Sequence, residues 1–245
     1  MAKEIMNLEY SPENHDKLIV ALDFADMESA QDMVDTLGDT VGFYKIGLEL
    51  LMSGDYFKML HWLDKKDKKV FADLKLYDIE TTVGKAVRNL ASYDNVHFLT
   101  VHAASEDIMK KAAENKGEID ILAVTVLTNL DQKDLFDIGF DPKISLENLV
   151  LRKAKLAQKC GIDGVIASGL EAKIIRENCG QDFIIATPGI RLENIHNDDQ
   201  KRTVDVKTAF INGSNYIIVG RPITSSTYPA LVAREFQKHI AHSLV

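Results

Sequence analysis

Three charged side chains fall within six residues of this chain, in Asp73-Leu-Lys75-Leu-Tyr-Asp78, directly after the apolar run Val70-Phe71-Ala72. If that run is a strand, side chains at i and i+2 share a face. Asp73 and Lys75 then point the same way, and Asp78 follows in the loop. A charge run taken alone is most often a solvated turn. With Lys45, however, these residues make an alternating set, Lys45, Asp73, Lys75 and Asp78, in which every ion has an opposite neighbour. Such a set stays charged when partly buried. It suits a reaction that removes negative charge or creates a carbanion, because a lysine held by carboxylates is a fixed cation and later a proton donor. A hard cation would be the competing use of Asp73 and Asp78. The two lysines argue against it, since they already neutralise the carboxylates.

The elements that must carry these residues follow from periodicity. Short β-rich runs recur at 18–22, 41–46, 69–74, 96–101, 119–127, 164–167, 183–186 and 216–219. Between them lie stretches with apolar residues at i, i+3 and i+4, at 26–37, 48–63, 79–91, 105–114, 146–158, 171–178 and 206–211, with a last helix near 230–240. The strands are almost continuously apolar, as expected when both faces of a parallel sheet are covered. Eightfold strand–helix alternation predicts an α/β fold, a (β/α)8 TIM barrel forming a single domain over 1–245. An open doubly wound sheet would more naturally carry a glycine-rich first turn, and Asp23-Phe-Ala-Asp26 has none.

In such a barrel the active site lies at the C-terminal ends of the strands. Those ends hold Asp23, Lys45 with Gly47, the Asp73 cluster, His102, Thr125 with Thr128 and Asn129, Thr187-Pro-Gly-Ile-Arg191, and Gly220-Arg221-Pro222. Polar groups thus converge on one face from nearly every strand. Loops after the seventh and eighth strands of these barrels commonly bind phosphate. Gly220 admits close backbone approach there and Arg221 pairs with an anion, with Arg191 as a second arm. His102 reads more readily as a hydrogen-bonded structural residue than as a catalyst, and Cys160 as core. The polar stretches 131–143 and 193–205 read as long loops, the second a candidate lid.

The bulk composition is that of an ordinary globular chain: 245 residues, 46% hydrophobic and 27% charged. A net charge of −8 provides no global basic field for nucleic acid. No apolar run approaches the roughly 18 residues of a membrane span. The start, Met-Ala-Lys-Glu-Ile, lacks a secretory pattern. Cys160 and Cys179 have no metal-ligand spacing and read as reduced thiols in a cytoplasmic protein.

Seven ordered segments resemble the orotidine 5′-phosphate decarboxylase family. They are Val20-Ala-Leu-Asp23, Tyr44-Lys45-Ile-Gly47, Ala72-Asp73-Leu-Lys75-Leu-Tyr-Asp78-Ile79 with Thr82-Val83, Thr100-Val-His102-Ala, Val124-Thr-Val-Leu-Thr128, Thr187-Pro-Gly-Ile-Arg191 with Asp199-Gln200-Lys-Arg202, and Val219-Gly-Arg221-Pro-Ile223. The resemblance implies cofactor-free, metal-free conversion of orotidine 5′-monophosphate to UMP and CO2 in pyrimidine synthesis. Carried over, Lys75 protonates C6 of the pyrimidine, and Lys45, Asp73 and Asp78 complete the charge network. Asp23 and Lys45 hold the ribose hydroxyls, and Thr128 lies beside the base. Gln200 bridges base and phosphate, while Arg191, Gly220 and Arg221 take the phosphate. It also implies a homodimer with shared sites, Asp78 and Thr82 reaching into the partner's pocket. The chain departs from the family's pattern at Tyr77, Glu80 and Thr81, where His, Pro and Asn are frequent, and at Asn129, where Ser is. Two rival readings are a magnesium-dependent sugar-phosphate decarboxylase of the same superfamily, expected to be acidic at position 45, and a catalytically silent nucleotide-binding barrel, expected to lack Lys75.

Overall fold

Leu18, Ile19, Val20 and Ala21 are all buried, so this first run packs apolar side chains on both of its faces. Only a sheet covered on both sides accommodates that. The computed structural model describes residues 12–192 and 202–244, and in it the sheet is a closed barrel of eight parallel strands. The chain runs α1 (Pro12–His15), β1 (Leu18–Ala21), α2 (Met27–Leu37), β2 (Phe43–Gly47), α3 (Leu48–Met52), α4 (Tyr56–Lys65), β3 (Lys69–Leu76), α5 (Glu80–Leu90) and β4 (Val96–His102). It continues with α6 (Glu106–Glu114), β5 (Asp120–Val124), α7 (Gln132–Asp137), α8 (Leu146–Lys159), β6 (Gly164–Ile166), α9 (Ala172–Cys179) and β7 (Ile184–Pro188). The last elements are β8 (Ile190–Arg191), β9 (Val204–Asp205), α10 (Val206–Ile211), β10 (Tyr216–Val219), α11 (Arg221–Thr224) and α12 (Pro229–Ser243). The barrel order is β1-β10-β7-β6-β5-β4-β3-β2, so the first and last strands close it. β8 and β9 form a separate parallel pair above it.

Each of the eight expected runs holds one barrel strand, with ends shifted by a few residues as at Pro188 of β7, and four differences bear on the architecture. The stretch 48–63 is two helices, because Ser53-Gly54-Asp55 breaks it and Gly54 sits at φ +88°. The 131–143 loop contains α7, started by a reciprocal cap between Asp131 and Asp134. The run 119–127 stops as a strand at Val124. Beyond it Thr125 donates to the Ile166 carbonyl, and the Lys153 ammonium donates to the Thr125 carbonyl. The third strand extends two residues further, to Leu76, but with a bulge. Ala72 pairs Leu99 while Leu76 pairs Val101, so four residues of β3 span two of β4. Within that bulge Lys75 lies at φ +47°.

Two layers of core flank the sheet. The outer layer joins strands to helices. The inner one is a plug of Ile19, Phe43, Phe71, Phe98, Leu122 and Ile218, with Phe98 5.2 Å from Phe43 and 5.0 Å from Tyr216, ring centre to ring centre. Successive side chains alternate across a strand. Two residues beyond these plug residues, on the same inward face, come Ala21, Lys45, Asp73, Thr100, Val124 and Gly220. The barrel therefore has an apolar floor, and in the layer above it Lys45, Asp73 and Thr100 bring polar groups inward from β2, β3 and β4.

Candidate active site

Apart from fully buried Thr100, that upper layer lines a cavity of about 550 Å³. Its walls include Asp23, Lys45, Asp73 and Lys75 on one side, Val126, Leu127, Thr128 and Asn129 on another, and Gly189, Arg191, Gly220 and Arg221 on a third. Gly47 follows Lys45, and a Cβ there would stand 3.3 Å from the Asp73 carbonyl oxygen, so a small residue keeps β2 and β3 close under the cations.

Four charges form a chain at the mouth of β1, β2 and β3. The Lys45 ammonium donates to Asp23 Oδ1 at 2.8 Å and lies 3.3 Å from Asp73 Oδ2. The Lys75 ammonium donates to the same Asp73 Oδ2 at 2.7 Å. Lys45 and Asp73 are each 8% exposed, whereas the Lys75 and Asp23 side chains retain 31% and 55% of their accessibility. The inner pair is thus locked and the outer pair faces the cavity. Burial works against the charge of both inner groups. For Asp73 the adjacent Lys45 and Lys75 ammoniums outweigh it and hold the carboxyl below its ordinary value. For Lys45 the carboxylates of Asp73 and Asp23 outweigh it and raise the ammonium. All partners therefore reinforce the ionised state.

The expected alternation of signs is present, but its membership differs. Within one chain the fourth ion is Asp23, not Asp78. Asp78 is exposed, accepts from the Ile79 amide at 2.7 Å, and does not line the cavity; exposed Thr82 does not line it either. The physical reason is the bulge in β3, after which the chain leaves the barrel. Gln200, and positions 193–201 of the stretch expected as a lid, lie outside the described residues. His102 is half-buried against the Tyr77 ring, 5.6 Å between centres, away from the cavity wall. Its imidazole is lowered by burial, then by Lys153 and Lys75.

Two further groups had motif positions but no expected role. Thr100, fully buried on β4, bonds to both Asp73 and the Lys75 backbone. Its inward parity with Phe98 was the available signal. Arg202, 7% exposed, pairs with buried Glu171 at 2.6 Å. It also donates to the Val126, Leu127 and Thr128 carbonyls, so it ties the chain before β9 to the loop beside the cavity. Gly169 permits this approach, because a Cβ there would meet Val204 at 2.3 Å.

A metal does not fit this donor set. Asp73 spends both oxygens on Thr100, Lys75 and Lys45, and an ammonium stands where a cation would have to bind. Among the described residues no three His, Cys, Asp or Glu side chains are grouped as ligands.

The profile of the orotidine 5′-phosphate decarboxylase / HUMPS family matches residues 16–236. The chain belongs to this family. Among its relatives, the orotidine 5′-phosphate decarboxylase of Methylococcus capsulatus is 50% identical over 226 residues, 92% of either chain. That of Xanthomonas axonopodis pv. citri is 47% identical over 94% of each. The crystal structure of orotidine 5′-phosphate decarboxylase from Lactobacillus acidophilus superimposes with a TM-score of 0.80 at 34% identity, covering 92% of this chain and 99% of that one.

Proposed function

We infer that this family member is an orotidine 5′-monophosphate decarboxylase, a carboxy-lyase that forms UMP and CO2 in pyrimidine biosynthesis. The observation that carries the reading is the Asp23–Lys45–Asp73–Lys75 chain, with one partly exposed ammonium bordering the cavity and the oxygens of Asp73 engaged by Thr100 and two lysines. In the proposed step the bond between C6 and the substrate carboxylate breaks and CO2 departs. Its electron pair stays at C6 beside the Lys75 ammonium, which stabilises it and donates the proton that completes UMP. Lys75 is then reprotonated from solvent. Asp73, held ionised, faces the departing carboxylate and keeps Lys75 charged until the proton is needed.

The other roles are proposals of the same reading. Asp23 and Lys45 hold the ribose hydroxyls, Thr128 contacts the base, Arg191, Gly220 and Arg221 hold the phosphate, and Gln200, outside the described residues, bridges base and phosphate. Buried Lys45 and the exhausted Asp73 oxygens disfavour the magnesium-dependent alternative, and the presence of Lys75 disfavours a silent barrel. The protein is a homodimer in this reading, with Asp78 and Thr82 completing the partner's pocket. In support, both are exposed and outside their own chain's cavity, and Tyr77 and Ile79 beside them are exposed apolar side chains. One domain over 1–245 is supported by the pairing of β1 with β10. Free, buried Cys160 and Cys179 support a cytoplasmic protein.

The test is direct. Purified protein is mixed with orotidine 5′-monophosphate in excess chelator, and loss of the substrate's ultraviolet absorbance is followed. Turnover is expected. No turnover, or turnover that requires magnesium, overturns the reading.

A further inference from the structure

We propose that Thr100 is a positioning residue of this decarboxylation site, its single hydroxyl fixing both the plane of the Asp73 carboxylate and the backbone turn that carries Lys75. The inference rests on the functional reading above. Thr100 sits in the middle of β4, fully buried. Its Oγ1 accepts from the Lys75 amide at 2.8 Å and donates to Asp73 Oδ1 at 2.9 Å. No other arrangement of the proton is available. An amide N–H can only donate and an ionised carboxylate can only accept, so the hydroxyl proton must lie on Oδ1. The rotor has one state.

Two consequences follow for the reacting groups. The first concerns Asp73. With Oδ1 bound to Thr100 and Oδ2 bound to Lys75 and Lys45, the carboxylate is held at both ends and cannot turn. The second concerns Lys75. A non-glycine residue at φ +47° is uncommon, and it persists only where its surroundings over-determine it. The β3 bulge takes the Lys75 amide off the regular ladder, and a buried amide without an acceptor is destabilising. Thr100 is the acceptor supplied. The same oxygen therefore couples the backbone of the proton donor to the carboxylate that pairs with its ammonium. The ring of His102, two residues along β4, makes neither contact.

The titratable groups that interact electrostatically with Asp73 are Lys45 on β2, Lys75 on its own strand, Tyr56 on α4 and His102 on β4, with Asp23 bound to Lys45 beyond. Burial raises the Asp73 carboxyl, Lys45 and Lys75 lower it more, and the Thr100 bond lowers it further. Removing that bond moves Asp73 upward, so the acid limb of the kcat profile moves to higher pH.

The experiment compares Thr100→Val, which keeps the shape and loses the hydroxyl, with Thr100→Ser, which keeps the hydroxyl and loses the methyl. Expected for Thr100→Val is a fall in kcat of about 10- to 100-fold, the range for lost hydrogen bonds to charged groups, with KM within about 3-fold. Its acid limb shifts upward. Thr100→Ser should recover kcat to within about 3-fold of wild type, as the same bonds are kept. A folded Thr100→Val with wild-type kcat and acid limb overturns the proposal. So does equal loss in both variants, which would assign the role to the methyl group. If Thr100→Val does not fold, Thr100→Cys, with only a weak S–H donor, is judged by the same criteria. Wild-type protein that fails to decarboxylate orotidine 5′-monophosphate removes the functional reading itself. An active wild type with an indifferent Thr100→Val removes this inference alone.

Discussion

Among the described residues, two groups of ions with buried members are built differently. Asp23, Lys45, Asp73 and Lys75 form an open-ended chain: its inner members are locked, and its last ammonium borders a cavity. Glu171 and Arg202 form a closed pair, both under a tenth exposed, with the guanidinium also bound to three successive carbonyls at 126–128. An open end leaves a charge available to a ligand. In the closed pair the two charges meet each other away from the cavity, and the pair holds segments together. The difference separates chemistry from architecture more reliably than burial or charge alone, because breaking either group leaves a different kind of unmet demand.

The largest expected effect lies at the open end. Lys75→Ala removes both the proposed stabilising charge and the proposed proton donor, and kcat should fall by roughly 10⁴-fold or more. The melting temperature should hardly move, since the group is partly solvated and Asp73 keeps Lys45 and Thr100 as partners. Near wild-type kcat would remove the contrast altogether.

Arg202→Met tests the closed pair. It strands the Glu171 carboxylate and three carbonyls, so unfolding free energy should drop by about 3–5 kcal/mol. For a domain of this size that is a loss on the order of 10 °C in Tm. Calorimetry showing an unchanged Tm would mean that Arg202 is not the structural member of the comparison.

Arg221→Ala sharpens the comparison at a third place. Arg221 is exposed, follows β10 and lines the same cavity as the lysines. Steady-state kinetics should show kcat/KM lower by about 10- to 100-fold, mostly in KM, as the proposed remote phosphate contacts are lost. A smaller fall in kcat should accompany it, because remote binding energy also supports the chemical step. An unchanged kcat/KM would place the phosphate elsewhere.

The smallest effect concerns Asp78, which stands outside the open chain of its own protomer. Mixing inactive Lys75→Ala protein with inactive Asp78→Ala protein should restore activity, up to about a quarter of wild type if subunits exchange at random in a two-fold dimer. A mixed dimer then has one pocket with both residues intact. Demonstrated exchange without recovered activity would confine Asp78 to its own chain.

Most of the frame is readable in the sequence. Continuous apolar runs alternating with amphipathic stretches implied the barrel, and every barrel strand lies on an expected run. The i, i+2 rule put Asp73 and Lys75 on one side, and their side chains do meet, although the regular strand that argument assumed is interrupted at Lys75 by a bulge. No local pattern announces that bulge, since it is set by how β3 registers against β4. Thr100 carried a readable signal, its inward parity with Phe98, yet its role depends on which backbone amide the bulge leaves unpaired. Arg202 and Glu171 are thirty-one positions apart, and nothing between them marks them as partners.

By itself, then, the sequence determined the residues that could do chemistry, the strands that bear them and the end of the barrel where they gather. Those properties depend on side-chain type and on periods of two and 3.6 residues, which are local. Tertiary structure alone decided that Asp23 rather than Asp78 completes the charge chain within one protomer, that a threonine hydroxyl locks Asp73, and that an arginine ties the end of one loop to another. Each of those depends on the register between strands and on how closely two backbones approach. Closure of the whole barrel sets those distances, and no stretch of the chain specifies them alone.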